Sequence, residues 1–181
     1  MLKGKSILLR PVHQSDLQEL YARHIDISNR GNFYPLGFVS ESEFRRRFED
    51  KGFWEKEEGM LLVVDGAGKM LGHIEFFKTV NYLDELEISY QIYEQADRGH
   101  GYATEAVNLL VRYLFGRLNM NRIRLIIHPK NCASRRVAEK CGFIHEGTAR
   151  CAWYHLGKNH DVEVYAILRD EIKPGYRSNL S

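Results

Sequence analysis

The chain is short of most features that would mark a specialised protein. Its three cysteines, Cys132, Cys141 and Cys151, fall at no Cys-x-x-Cys or zinc spacing. That argues against a disulfide framework and a metal site, and suits a reducing compartment. No uninterrupted apolar run exceeds about six residues, far below the span of a bilayer, and the run near the N-terminus is too brief for a signal peptide. The expectation is a cytoplasmic protein with no membrane partner. A charge excess is missing too: 26 Lys and Arg against 24 Asp and Glu leave a net +2, too little for the concentrated basic face that nucleic acid requires. Internal repeats, low-complexity segments and linkers are all absent. With 181 residues and 44% hydrophobic content, the reading is one domain over 1–181 with its own core, the polar stretch 173–181 being a loose tail.

What the chain does have is concentrated between residues 85 and 115. Residues 85–93 alternate, with Leu86, Ile88, Tyr90 and Ile92 on one side, as in a half-buried strand. Ala103, Val107, Leu110, Leu114 and Leu118 then recur at helical spacing. Between them stand Gly99 and Gly101, at the start of the helix. Such a loop can aim several backbone N–H groups at one anion at the positive end of a helix dipole, and it can equally be a tight turn. Two phosphate-binding loops are excluded. A Walker loop ends in Gly-Lys-Ser/Thr, whereas Gly101 precedes Tyr102-Ala103, and a dinucleotide fingerprint needs a third glycine where Thr104 stands.

The stretch Arg98-Gly99-His100-Gly101-Tyr102-Ala103-Thr104-Glu105-Ala106, preceded by Glu87-Ile88-Ser89-Tyr90, resembles the acetyl-CoA loop of GNAT N-acetyltransferases, Gln/Arg-x-x-Gly-x-Gly/Ala. A second block agrees with it: Asn131-Cys132-Ala133-Ser134-Arg135-Arg136-Val137-Ala138-Glu139-Lys140-Cys141-Gly142-Phe143-Ile144-His145-Glu146-Gly147 resembles the RimJ/RimL branch, which acetylates ribosomal protein N-termini. The pattern covers nearly the whole chain, from Leu8-Leu9-Arg10-Pro11 to Asp161-Val162-Glu163-Val164-Tyr165-Ala166.

Periodicity predicts strands over 6–10, 60–64, 69–77, 85–93, 122–128, 143–154 and 161–168. It predicts helices opening at two capping boxes, Ser15-Asp16-Leu17-Gln18 and Ser40-Glu41-Ser42-Glu43, and two more over 103–118 and 133–140, the last closed by Gly142. Arg45-Arg46-Arg47 reads as a solvated helix face among acidic neighbours. The fold class is α/β, a mixed sheet of about seven strands with flanking helices. The resemblance implies the GNAT fold, whose parallel strands 85–93 and 122–128 splay to admit the pantetheine arm.

Acetyl transfer from a thioester to an amine requires a bound diphosphate, a polarised carbonyl, a neutral amine and a stabilised leaving thiolate. The resemblance assigns coenzyme A to Arg98, Gly99, His100, Gly101, Tyr102, Ala103 and Thr104, with Asn131, Ser134 and Arg136 on the second block, and the carbonyl to amides near Ile92 and Tyr93. Where many members carry a catalytic tyrosine this chain has Ala138, so the implied donor to sulfur is Ser134, whose hydroxyl is equally a helix-cap group. The aligned position for a second carboxylate holds Trp153, which makes Glu87 the candidate base, with His73, Glu75, His160 and Asp161 in reserve. Phe33, Tyr34, Trp153 and Tyr154, with Phe38 and Trp54, are candidates for an aromatic acceptor cleft. The reading is an N-acetyltransferase using acetyl-CoA by direct transfer, monomer or homodimer, its amine a protein N-terminus. A polyamine or antibiotic acceptor is the alternative, for which Glu41, Glu43, Glu55, Glu57 and Glu58 would serve. A non-catalytic acyl-CoA-binding module is the third.

Overall fold

Alternating apolar residues build one continuous sheet in the computed structural model, which describes residues 1–172. The expected tail at 173–181 lies outside the described residues. The strands are β1 (Leu2–Lys3), β2 (Ile7–Pro11), β3 (Gly59–Asp65), β4 (Met70–Phe77), β5 (Glu85–Ile92), β6 (Arg122–Ile127), β7 (Ile144–His155) and β8 (Lys158–Leu168). They lie in the order β1-β2-β3-β4-β5-β6-β8-β7, mixed as expected. The eighth strand beyond the expected seven is β1, two residues paired to Leu8 and Leu9, too short to leave a periodic signal. The helices are α1 (Leu17–Ile25), α2 (Glu41–Lys51), α3 (Tyr102–Arg117) and α4 (Cys132–Lys140). None among the described residues is long and apolar enough to cross a membrane.

Local chemistry sets the ends of these elements. Ser40 caps α2 as predicted, its hydroxyl accepting from the Glu43 N–H at 3.2 Å. The other predicted capping box does not form. Arg10, at the end of β2, binds Asp16 with two hydrogen bonds of 2.6 and 2.8 Å, and the same carboxylate accepts the His13 N–H at 2.7 Å. A 3-10 turn over Gln14–Asp16 results, and α1 begins only at Leu17. The last hairpin turns on Leu156 and Gly157, with φ of 47° and 80°, so β8 starts at Lys158 rather than at 161.

The sheet buries both faces. Against one pack Val107, Leu110 and Leu114 of α3, over Ile74, Leu86 and Ile123. Against the other pack Leu17 and Leu20 of α1 and Phe44 of α2, over Leu62, Val64 and Tyr93.

One departure from regular pairing organises the molecule. β5 and β6 run parallel but pair only through residues 85–87 beside 122–124. β5 stays paired to β4 through residues 87–92, and β6 stays paired to β8 along its whole length. Each strand is thus held by its outer neighbour while their inner edges part. At the vertex Glu85 accepts from Arg122 Nε and Arg124 Nη1, both at 2.7 Å, and Arg124 Nε reaches Glu87 at 3.0 Å.

Candidate active site

Where β5 and β6 diverge, a cleft of about 920 Å³ opens. One wall is the exposed edge of β5. Tyr93 N–H donates to Leu71 O at 2.9 Å, and Ile92 stands opposite Gly72. By the alternation of an antiparallel ladder, the N–H groups of Ile88, Tyr90 and Ile92 therefore face away from β4, into the cleft. This corrects half of the carbonyl expectation. The Tyr93 amide is already used, and its hydroxyl is bonded to buried His73 Nδ1 at 2.8 Å. Of the two, the Ile92 amide is the one that faces the cleft.

At one end of the cleft lies the glycine loop. Gly99 and Gly101 have φ of 85° and 87°, in the left-handed region, and a Cβ at either would meet open space. These glycines serve the turn itself. The first intrahelical bond of α3 runs from Glu105 N–H to Gly101 O, so the amides of Tyr102, Ala103 and Thr104 precede the helical ladder at its positive end. The Arg98 guanidinium donates to Ile92 O at 3.0 Å and Tyr93 O at 2.8 Å, bracing the loop against the end of β5. His100 stacks on Tyr102 outside the cleft lining.

The facing wall is α4. Asn131 caps it, its Oδ1 accepting the Ser134 N–H at 3.1 Å, and Asn131, Ser134 and Arg136 all line the cleft. Cys141, two turns on, is buried, its thiol donating to Thr104 O and its pKa pushed up to about 12 by burial. A covalent acyl-cysteine has no nucleophile there.

The other end of the cleft is aromatic. Phe33 stacks on His128 with centroids 4.9 Å apart, and Trp153 meets His128 edge-on at 5.8 Å. The Tyr34 hydroxyl lies 3.0 Å from His73 Nε2, and burial raises its pKa strongly. Tyr154 does not belong: one residue along β7 from Trp153, it points to the opposite side and is exposed. Phe38 is also exposed, and Trp54 packs on Phe76 in the main core, so neither reaches the cleft.

Glu87 lines the cleft, its carboxylate bonded to Arg124. Burial raises its pKa above the ordinary carboxylate range, and Arg124 opposes that rise. Glu75 is half-buried beside His73, and its partial burial raises its pKa as well. Asp161 holds the Cys151 N–H at 2.8 Å, a structural role. His160 is joined to His128, with Nδ1 3.2 Å from His128 Nε2.

Sequence reasoning missed His128 and Arg30. His128 follows the buried run Leu125-Ile126-Ile127 and precedes Pro129, so its place at the open end of a splayed strand was a usable signal. Arg30 had none. Buried at 5% exposure, it knots the 28–38 loop by donating to Pro35 O at 2.7 Å, Gly37 O at 2.8 Å and His24 O.

The family model described as an acetyltransferase (GNAT) domain matches residues 6–144. YjcK of Bacillus subtilis, named as a candidate N-acetyltransferase, is 30% identical over 94% of this chain and 98% of its own. YdaF of the same organism, named as a candidate ribosomal N-acetyltransferase, is 34% identical over 91% of this chain and 90% of its own. Among solved structures, a spermidine N-acetyltransferase from Vibrio cholerae in complex with CoA and spermine superposes with a TM-score of 0.79 at 22% identity, covering 91% of this chain and 96% of that one.

Proposed function

Since the chain belongs to the acetyltransferase (GNAT) family, and is thereby an acetyl-CoA-dependent N-acetyltransferase, we propose that its acceptor is the primary amine of a peptide N-terminus, acetylated by direct attack. The residues suit coenzyme A. The left-handed glycine turn leaves the first amides of α3 without helical partners, and the edge of β5 offers backbone groups to an amide-bearing arm. When bound, acetyl-CoA supplies a thioester whose acyl carbon is open to attack and whose sulfur can leave.

The chain's own groups divide the remaining work. The amides of Tyr102, Ala103 and Thr104 would hold phosphate oxygens, with Arg136 and Lys140 as cations on the facing wall. Ile92 N–H would donate to the carbonyl oxygen. Asn131 spends its Oδ1 on the α4 cap, which leaves its amide nitrogen as a donor. Ser134 would donate to sulfur. Glu87, raised toward working pH by burial, would receive the amine proton through water.

The observation that carries the acceptor class is the charge lining the cleft. Its carboxylates, Glu87 and Asp97, are already paired to Arg124 and Lys69; Arg98, Arg136 and Lys140 belong to the phosphate end, and toward the aromatic end Arg30 stands against Tyr34. Glu41, Glu43, Glu55, Glu57 and Glu58 pair with Arg45, Arg46, Lys51, Lys78 and Arg47 and do not line the cleft. A polycation would find those carboxylates already spent on other cations, whereas one amine followed by uncharged backbone meets aromatic faces at Phe33, His128 and Trp153. Release of the CoA thiol should be measured over a panel of short peptides and polyamines. Peptides are expected to exceed spermidine in kcat/KM by at least about tenfold; the reverse order would transfer the assignment to small amines.

A further inference from the structure

Ser134 has a partner that the resemblance does not supply. Tyr90 lies on β5, lines the cleft and packs against the main core. Its hydroxyl is buried and, among the described residues, closes no hydrogen bond of normal geometry. Among the described residues Ser134 is the polar side chain in hydrogen-bonding reach of it, and Cys141 acts at longer range. Ser134, Ala138 and Cys141 are spaced four and three residues apart, so one face of α4 turns toward this hydroxyl. A buried hydroxyl without a partner costs about 1–3 kcal/mol, and phenylalanine would fill the same space without that cost. Burial pushes its pKa up to about 12, which keeps the hydrogen on it at neutral pH.

We infer that Tyr90 is a positioning residue: its hydroxyl donates to Ser134 Oγ once the cleft is filled, turning the hydrogen of Ser134 outward onto the departing sulfur. The inference rests on the acetyl-transfer reading and deepens it. The Ser134 backbone is already fixed by the Asn131 cap, so the hydroxyl direction is the remaining freedom, and a donor from β5 removes it. As the carbon–sulfur bond breaks, its electron pair stays on sulfur and is met by the Ser134 hydrogen bond. The proton that finally settles on sulfur is one given up by the amine nitrogen, and neither hydroxyl ends ionised.

The test combines Tyr90→Phe, Ser134→Ala and the double variant, with thiol release at saturating amine, acetyl-CoA affinity by titration and Tm by calorimetry. Tyr90→Phe is expected to hold or raise Tm, to keep acetyl-CoA affinity within about twofold, and to lower kcat about tenfold. Added to Ser134→Ala, it should lower kcat no further, because it acts only through that hydroxyl. A lowered Tm would mean that the hydroxyl is already well bonded in the free protein, and would overturn the inference. So would an unchanged kcat, or losses that multiply in the double variant, and both would leave the enzyme reading standing. Wild-type protein inert toward every amine overturns both.

Discussion

His73 shows how much a single residue can be asked to do inside this fold. It sits on β4, fully enclosed between the hydroxyls of Tyr34 and Tyr93, and burial lowers its pKa from 6.5 to about 4. In the neutral ring one nitrogen donates to a tyrosine hydroxyl and the other accepts from the second, whereas a charged ring would donate to both and leave the second hydroxyl's hydrogen without its acceptor. The unfolded chain takes up a proton below pH 6.5 that the folded chain refuses until about pH 4. The contribution of His73 is therefore whole above pH 6.5 and falls by up to about 1.4 kcal/mol per pH unit on the way down. His24 shifts in the same direction, while Glu75, raised by burial, works the other way. The difference between wild type and His73→Gln is thus the measure. Their Tm values should converge as pH drops from 7 toward 4.5, and a gap that stays constant would show that folding leaves the pKa of the ring unshifted.

The elements between these residues carry the anion site, and Gly101 tests it. With φ of 87° it turns the chain into α3, and any other L-residue there costs roughly 1–2 kcal/mol of backbone strain while re-aiming the amides that follow. Gly101→Asp also sets a negative charge where phosphate is expected. It should weaken acetyl-CoA binding more than tenfold by calorimetric titration, on the order of 1.4 kcal/mol or more, with the far-ultraviolet spectrum retained; unchanged affinity would place the phosphates elsewhere. Elements of this kind were legible in the sequence because periodicity and capping are local. The Ser40 cap, Gly142 with φ of 84° and the alternation of β5 all depend on residues within one or two turns. What was not legible came from contacts made across the chain. Arg10 captured Asp16 and cancelled a capping box, a ladder bond to Leu71 removed Tyr93 as a donor, and Tyr154 was lost to strand parity one residue from Trp153. Tyr90 and Ser134 stand far apart in sequence, and the placing of α4 across the cleft from β5 brings them together.

At the scale of the whole molecule, the cleft exists because two strands are joined at one end and separated at the other. The junction is more than backbone pairing. Glu85, 6% exposed, takes hydrogen bonds from both Arg122 and Arg124, and Arg124 spans from Glu85 to Glu87 and on to Thr79 Oγ1. Arg122 extends the network to Glu146 on β7, so three strands share it. Removing Arg124 leaves two carboxylates close together with one cation fewer, and breaking a largely buried ion network in this way costs roughly 3 kcal/mol. The same change acts on chemistry. Arg124 is what restrains the burial-driven rise in the pKa of Glu87, so Arg124→Met must raise that pKa further. If Glu87 accepts the amine proton in its ionised form, the acid limb of kcat/KM moves to higher pH in Arg124→Met and disappears in Glu87→Gln, whose residual rate should be at least about tenfold lower. Measured from pH 4.5 to 8, an acid limb that stays in place in both variants would detach Glu87 from proton transfer and leave it as the acidic partner that closes the vertex of the cleft.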